Sequence, residues 1–167
     1  MQTSFTDKQL LDKDNKSSES ILRKCVHCGM CNATCPTFCV NGEELEGPRG
    51  RIYLIKDMLE NKKPANKKVV KHIDSCLSCY SCMTTCPSGV NYMHLIDHGR
   101  NYVEETYKRP FFDRLFRNVL SFVLPRPKVF LALAYLSKLI KPFSFLLPTF
   151  LKNSLNLMPN KIPSKKI

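Results

Sequence analysis

Two stretches of this chain space their cysteines as metal ligands are spaced. Cys25-Val26-His27-Cys28-Gly29-Met30-Cys31-Asn32-Ala33-Thr34-Cys35-Pro36 reads C-x₂-C-x₂-C-x₃-C-P, and Cys76-Leu77-Ser78-Cys79-Tyr80-Ser81-Cys82-Met83-Thr84-Thr85-Cys86-Pro87 repeats it 51 residues later. Three thiolates two residues apart let one tight loop wrap a corner of an iron–sulfur cube. The fourth, after a longer gap and before proline, points away and in two-cluster ferredoxins ligates the other cluster. The expected ligand sets are therefore crossed. Cys25, Cys28, Cys31 and Cys86 would hold one [4Fe–4S] cluster, and Cys76, Cys79, Cys82 and Cys35 the other.

Zinc is the competing metal. It typically takes four ligands in two C-x₂-C pairs, and it requires neither the extra cysteine in register nor the proline. The doubled spacing thus reads as two [4Fe–4S] clusters. Disulfides suit the chain poorly, because nine cysteines is an odd number. The opening MQTSFTDKQLLDKDNK has no apolar signal core, small-residue cleavage site or twin arginine. A reducing cytoplasm is the expected compartment, and there clustered cysteines usually bind metal or catalyse.

Outside the two motifs, Cys39 reads as a small buried hydrophobe and not as a ninth ligand. The backbone at His27 is expected to matter more than its ring. His94 and His98 lie one helical turn apart but lack a third ligand nearby, so they read as ordinary histidines. In the Gly47-Pro48-Arg49-Gly50-Arg51 turn, one arginine is expected to face a cluster or its loop. The other is expected to pair with a carboxylate such as Glu43 or Glu46. A cube with four thiolates is net negative, so a guanidinium nearby would stabilise it and raise its potential.

The sequence contains no G-x-G-x-x-G after a strand, no P-loop and no H-E-x-x-H. No catalytic residue for carbon chemistry is expected here. Iron–sulfur clusters carry single electrons, so two-electron oxidation of an organic substrate belongs on another polypeptide, most naturally at a flavin.

Helices must position these loops. A short one is expected from Ser17 or Ser18 to Lys24. Gly47-Pro48 should open another, with Ile52, Leu54, Ile55, Met58 and Leu59 on one apolar face and Pro64 ending it. Val69, Val70 and Ile73 suggest a third, and Tyr92, Leu95, Ile96, Tyr102 and Val103 a fourth. Strand signal is slight, so the fold class is mostly α. Residues 1–16 read as a mobile polar N-terminus, 17–108 as the helical cluster-binding domain and 109–167 as a helical tail. Phe111 to Val123 and Lys128 to Lys141 are its helix candidates, with Pro142 and Pro148 breaking the chain beyond them.

Charge is uneven. Of the net +12, residues 1–24 contribute +1, residues 25–104 another +1 and residues 105–167 the remaining +10. The tail interleaves its charges with long Phe/Leu runs, whereas basic nucleic-acid arms are polar, so nucleic acid is not the expected partner. Its uncharged runs fall short of the ~20 residues a bilayer span needs. Such apolar helices are expected to require cover from a further part of the protein, a partner subunit or a membrane surface.

The residues around the cysteines resemble one family, the iron–sulfur subunit of bacterial glycolate oxidase (glycolate dehydrogenase). CVHCGMCNATCPT at 25–37, LEGPRGRIYLIKDMLE at 45–60 and HIDSCLSCYSCMTTCPSGVNYMHLIDHGR at 72–100 carry the resemblance. RP at 109–110 and LPRP at 124–127 extend it weakly. It implies an α-helical ferredoxin fold for 17–108, flavin-binding dehydrogenase subunits as partners, and electrons passing from reduced flavin to a quinone or other acceptor. The family's members continue into a further cysteine-rich half, so this chain resembles their N-terminal two-cluster part. The alternative keeps the clusters and changes the complex: a lactate or glycerol-3-phosphate dehydrogenase, or a heterodisulfide-reductase-like assembly. The expected location is the cytoplasm, peripheral at the inner face of the cell membrane.

Overall fold

A computed structural model describes residues 1–140, with side chains through Ser137. It divides into two units, the first Met1–Lys108 and the second beginning at Arg109. Among the described residues all regular structure is helical. The first unit holds α1 (Asp7–Leu10), α2 (Lys13–Lys24), α3 (Pro36–Asn41), α4 (Pro48–Asn61), α5 (Lys67–Asp74), α6 (Ser81–Thr85) and α7 (Tyr92–Thr106). Two 3₁₀ turns, Met30–Asn32 and Glu44–Glu46, join them.

Helix starts follow capping chemistry. Asp12 caps α2 by accepting from the Asn15 amide, Asn66 caps α5 through the Val69 amide, and Asn91 caps α7 through that of His94. Pro48 occupies the first turn of α4, where its missing N–H costs nothing. α2 therefore begins at Lys13 and not at Ser17 or Ser18. Ser18 is fully buried inside it, and its hydroxyl bonds His98 Nδ1 at 2.7 Å instead of capping.

The first residues, expected to trail free, are seated on the helical body. Gln9 is buried, donating to the carbonyls of Leu59 (2.8 Å) and Glu60 (3.0 Å), and the Met1 ammonium bonds the Cys25 carbonyl. Carboxylates hold this stretch too: Thr3 donates its hydroxyl to Glu19 Oε1 at 2.9 Å and Ser4 its amide to Glu60 Oε1 at 2.6 Å.

The core of the first unit forms where α4 crosses α7. Ile52, Ile55, Met58 and Leu59 of α4 meet Leu95, Ile96 and Val103 of α7, with Leu22 of α2 and Val70 and Ile73 of α5 closing the sides. Leu54 is only partly buried. Gly99 lets the two helices approach: a Cβ there would lie 2.8 Å from Ile55 Cγ1. Leu22 before the first cysteine loop, and Ile73 and Tyr92 on either side of the second, tie the loops to this core.

The second unit contains α8 (Phe111–Val123) and α9 (Pro127–Ile140). No residue of α8 is buried, and Phe111, Phe112 and Phe116 are 73%, 81% and 60% exposed. No helix among the described residues is long and apolar enough to cross a membrane. The expected breaks at Pro142 and Pro148 lie outside the described residues.

Candidate metal centre

Each cysteine loop takes two left-handed turns at the same places in the repeat. His27 (φ 59°) corresponds to Ser78 (φ 52°), and Gly29 (φ 84°) to Tyr80 (φ 56°). Such turns are costly for side-chain-bearing residues, so their recurrence marks a backbone shape both loops must adopt. After them the chain enters the 3₁₀ turn Met30–Asn32 in one loop and α6 in the other, and these two pack together. Thr85 donates its hydroxyl to that of Thr34, its repeat counterpart, at 3.1 Å. The two fourth cysteines, Cys35 and Cys86, come directly after.

Two hollows result. The first, about 440 Å³ and partly open to solvent, is lined by Cys25, Cys28, Cys31 and Cys86. The second, about 290 Å³, is lined by Cys35, Cys76, Cys79 and Cys82. Each thus draws three cysteines from one repeat and the fourth from the other. Cys82 also reaches the wall of the first, between the two hollows. All eight are free thiols. Burial, with nearby Cys25, Cys86 and Cys28, pushes the Cys31 thiol up to about 11. Burial, with Cys31, Cys35, Cys76 and Cys79 around it, pushes Cys82 up to about 12. Thiols crowded in this way ionise only against a compensating cation, so the donor set fits two iron–sulfur cubes.

Beside the second hollow lies a buried polar network. Arg51, 1% exposed, donates Nη2 to Glu46 Oε2 (2.9 Å), Ser75 Oγ (2.9 Å) and Thr37 Oγ1 (3.1 Å), and Nε to the His72 carbonyl (2.6 Å). Its Nη1 points at Cys35 Sγ, 3.9 Å away. His72 Nδ1 meets the other Glu46 oxygen at 2.8 Å. Burial alone would raise the Glu46 pKa, but bonds from Ser75 and His72 and the charge of Arg51 hold it below the usual carboxylate range. Glu43, Glu46 and His72 could together hold a metal ion. Arg51 already supplies the positive charge there, so the cluster reads as an ion-pair network.

Arg51 therefore both faces Cys35 of the second hollow and pairs with Glu46. Arg49 pairs with a different carboxylate, Glu44, at 2.5 Å, and its guanidinium covers Gly29 of the first loop. His72, Ser75 and the hydroxyl of Tyr92, which lies 3.7 Å from Cys76 Sγ, went unnoticed in the sequence. Tyr92 was legible only as part of an apolar face, and nothing in the spacing of His72 marks it.

Cys39 lies outside both hollows, but it is exposed, not buried as expected. It sits on α3, a short helix with no buried residue, and its thiol reaches the Ala33 carbonyl at 3.4 Å. His27 contributes its left-handed backbone, while its ring packs edge-on to Tyr53. His94 and His98 have ring centroids 6.3 Å apart, and His98 is engaged by Ser18. No third donor joins them among the described residues.

Comparison with known proteins places this geometry among relatives. Residues 21–90 match the family model described as a 4Fe-4S dicluster domain. The chain is 50% identical over 143 residues, 86% of its length, to the glycolate oxidase iron-sulfur subunit of Escherichia coli (strain K12). It is 32% identical over 117 residues to a probable glycolate oxidase iron-sulfur subunit of Bacillus subtilis (strain 168). Over 84 residues it is 27% identical to the mitochondrial succinate dehydrogenase [ubiquinone] iron-sulfur subunit of Candida glabrata. The matches span 35%, 26% and 33% of those proteins' lengths, so the chain covers about a third of the relatives it matches. No solved structure matches the chain significantly.

Proposed function

The chain is a relative of glycolate oxidase iron-sulfur subunits and carries a 4Fe-4S dicluster domain, and from that premise we propose that it is the electron-transfer part of a flavin-dependent glycolate dehydrogenase. The observation that carries the proposal is the crossed gathering of eight cysteines into two hollows within one helical unit. In this reading Cys25, Cys28, Cys31 and Cys86 hold one [4Fe–4S] cluster and Cys35, Cys76, Cys79 and Cys82 the other. When bound, such clusters accept and release one electron at a time, which splits the two-electron output of a flavin.

The chain's own residues bring the two sites together and shield them. The Thr34–Thr85 bond fixes the repeats against each other. Ile52, Val90 and Tyr92 wall the first hollow, and Tyr92 is shared with the second. Flavin-binding subunits would deliver the electrons, and a quinone or other carrier would receive them. A cytoplasmic location at the membrane surface belongs to the same reading. In its support, α8 exposes Phe111, Phe112 and Phe116 beside Arg114, a combination suited to an anionic lipid face.

The similarity to a succinate dehydrogenase subunit supports a second reading, in which the same two-cluster unit serves a dehydrogenase for another acid. Anaerobic co-purification with candidate flavin-binding dehydrogenase subunits, followed by substrate-driven dye reduction, separates the two. Glycolate-dependent reduction that requires this chain is the expected result. Reduction with lactate or succinate but not glycolate would favour the second.

A further inference from the structure

The two hollows differ in what faces their sulfurs. Two side-chain donors converge on the second set: Arg51 Nη1 lies 3.9 Å from Cys35 Sγ and the Tyr92 hydroxyl 3.7 Å from Cys76 Sγ. The Thr37 hydroxyl, 3.2 Å from Cys35 Sγ, gives its own proton to the Glu46 carbonyl at 2.7 Å. Among the described residues no side-chain donor bonds Cys25, Cys28, Cys31 or Cys86. Cys31 faces instead the Asn32 carbonyl oxygen at 4.0 Å, and Asn32 turns its amide toward Glu44.

Both sites have an arginine at hand, but the two are placed differently. Arg49 is one-third exposed and tied to the half-exposed Glu44, so solvent screens it. Arg51 is 1% exposed, and its fork is divided: Nη2 engages Glu46 while Nη1 is left to Cys35. Five hydrogen-bonding partners, on α3, α5 and the turns beside them, fix that direction. Hydrogen bonds and positive charge at cluster sulfurs stabilise the added electron and raise the reduction potential. A preorganised donor in a buried setting does so with little reorganisation.

Resting on the ligand sets proposed above, we propose that Arg51, aided by Tyr92, is a positioning residue that raises the reduction potential of the cluster at Cys35, Cys76, Cys79 and Cys82 above that of its neighbour. Of the two sites, the second is then the one on which an electron comes to rest. One electron lost by the first cluster is the electron gained by the second, and no other reactant is needed.

The test is a redox titration of the full chain, reconstituted anaerobically and followed by electron paramagnetic resonance. Cys28→Ser and Cys79→Ser assign each signal to its cluster, since each alters a ligand of one only. Two separate potentials are expected, the higher shifted by Cys79→Ser. Tyr92→Phe, which removes one hydroxyl, should lower the higher potential and leave the other in place. Arg51→Met paired with Glu46→Gln, which removes the buried ion pair whole, should lower it further, and Arg51→Lys should restore part of the shift. If the double variant does not fold, Tyr92→Phe still decides. Equal movement of both potentials, no movement, or a higher potential at the Cys28 site would overturn the inference while leaving two clusters standing. An iron content well below about eight per wild-type chain, the content of two cubes, would overturn the ligand sets and this inference with them.

Discussion

Gly29 and Tyr80 hold the same place in their loops and the same left-handed backbone, yet only Tyr80 has room there for a side chain. At Gly29 a Cβ would lie 2.6 Å from Arg49 Nη1, whereas Tyr80 already carries a side chain packed against the core. Gly29→Ala should therefore cost on the order of 1–2 kcal/mol from backbone strain, and displace Arg49 besides. Thermal unfolding of the loaded protein measures it, and an unchanged midpoint would mean that the loop opens without strain. Cys39 makes the opposite case. Exposed and bonded only to the Ala33 carbonyl, it should be dispensable. Cys39→Ser should keep about eight irons per chain, and loss of half would make it a ligand.

α7 carries a pH dependence that can be read from its packing. Burial is the first cause holding His98 below the ordinary histidine pKa; nearby Asp14 pulls the other way. A group whose folded pKa is depressed binds its proton more readily unfolded. Its contribution to stability is present above the unfolded value of about 6.5 and fades as pH falls below it. Between pH 7 and pH 5 the wild-type chain should lose more stability than His98→Gln, as read by helical circular dichroism on heating. Equal losses would place the acid sensitivity elsewhere. At the α4–α7 crossing, Gly99→Val would push into Ile55 and should destabilise by roughly 1–3 kcal/mol.

The helices themselves were legible from periodicity. Ile52, Ile55, Met58 and Leu59, like Leu95, Ile96 and Val103, repeat at helical spacing because one face of each is buried. What escaped the sequence was polar and buried: Gln9 under α4's last turn, Ser18 against His98, and the Arg51–Glu46–His72 network. A residue's type says what it could bond. It does not say that a partner 21 or 26 positions away completes the bond, and so polar stretches read as free ends and caps. Arg49 and Arg51 were singled out together because a negative cluster calls for a cation, with nothing in the sequence to say which of the two faces it. The simultaneous hold of Arg51 on Glu46 and Cys35 emerges only once α4 and α5 are placed.

At the scale of the molecule the two units differ in kind. The first buries its apolar faces, and the second leaves Phe111, Phe112, Phe116 and Phe122 more than half exposed. Apolar helices of this sort are normally covered, and the matches span only 35% and 33% of the relatives' lengths. The full chain should bind a hydrophobic dye strongly, and residues 1–108, a separate unit in the structure, only weakly. Equal binding by the two would locate the exposed surface on the first unit. The first unit is in turn built from two repeats, neither of which has four thiols facing a single hollow. The measurement that tests this most directly is an iron anomalous map from crystals of the anaerobically reconstituted chain. Two four-iron clusters are predicted, with Cys35 on the cluster of Cys76, Cys79 and Cys82, and Cys86 on that of Cys25, Cys28 and Cys31. Cys35 on the cluster of its own repeat, or single zinc ions in either hollow, would contradict it.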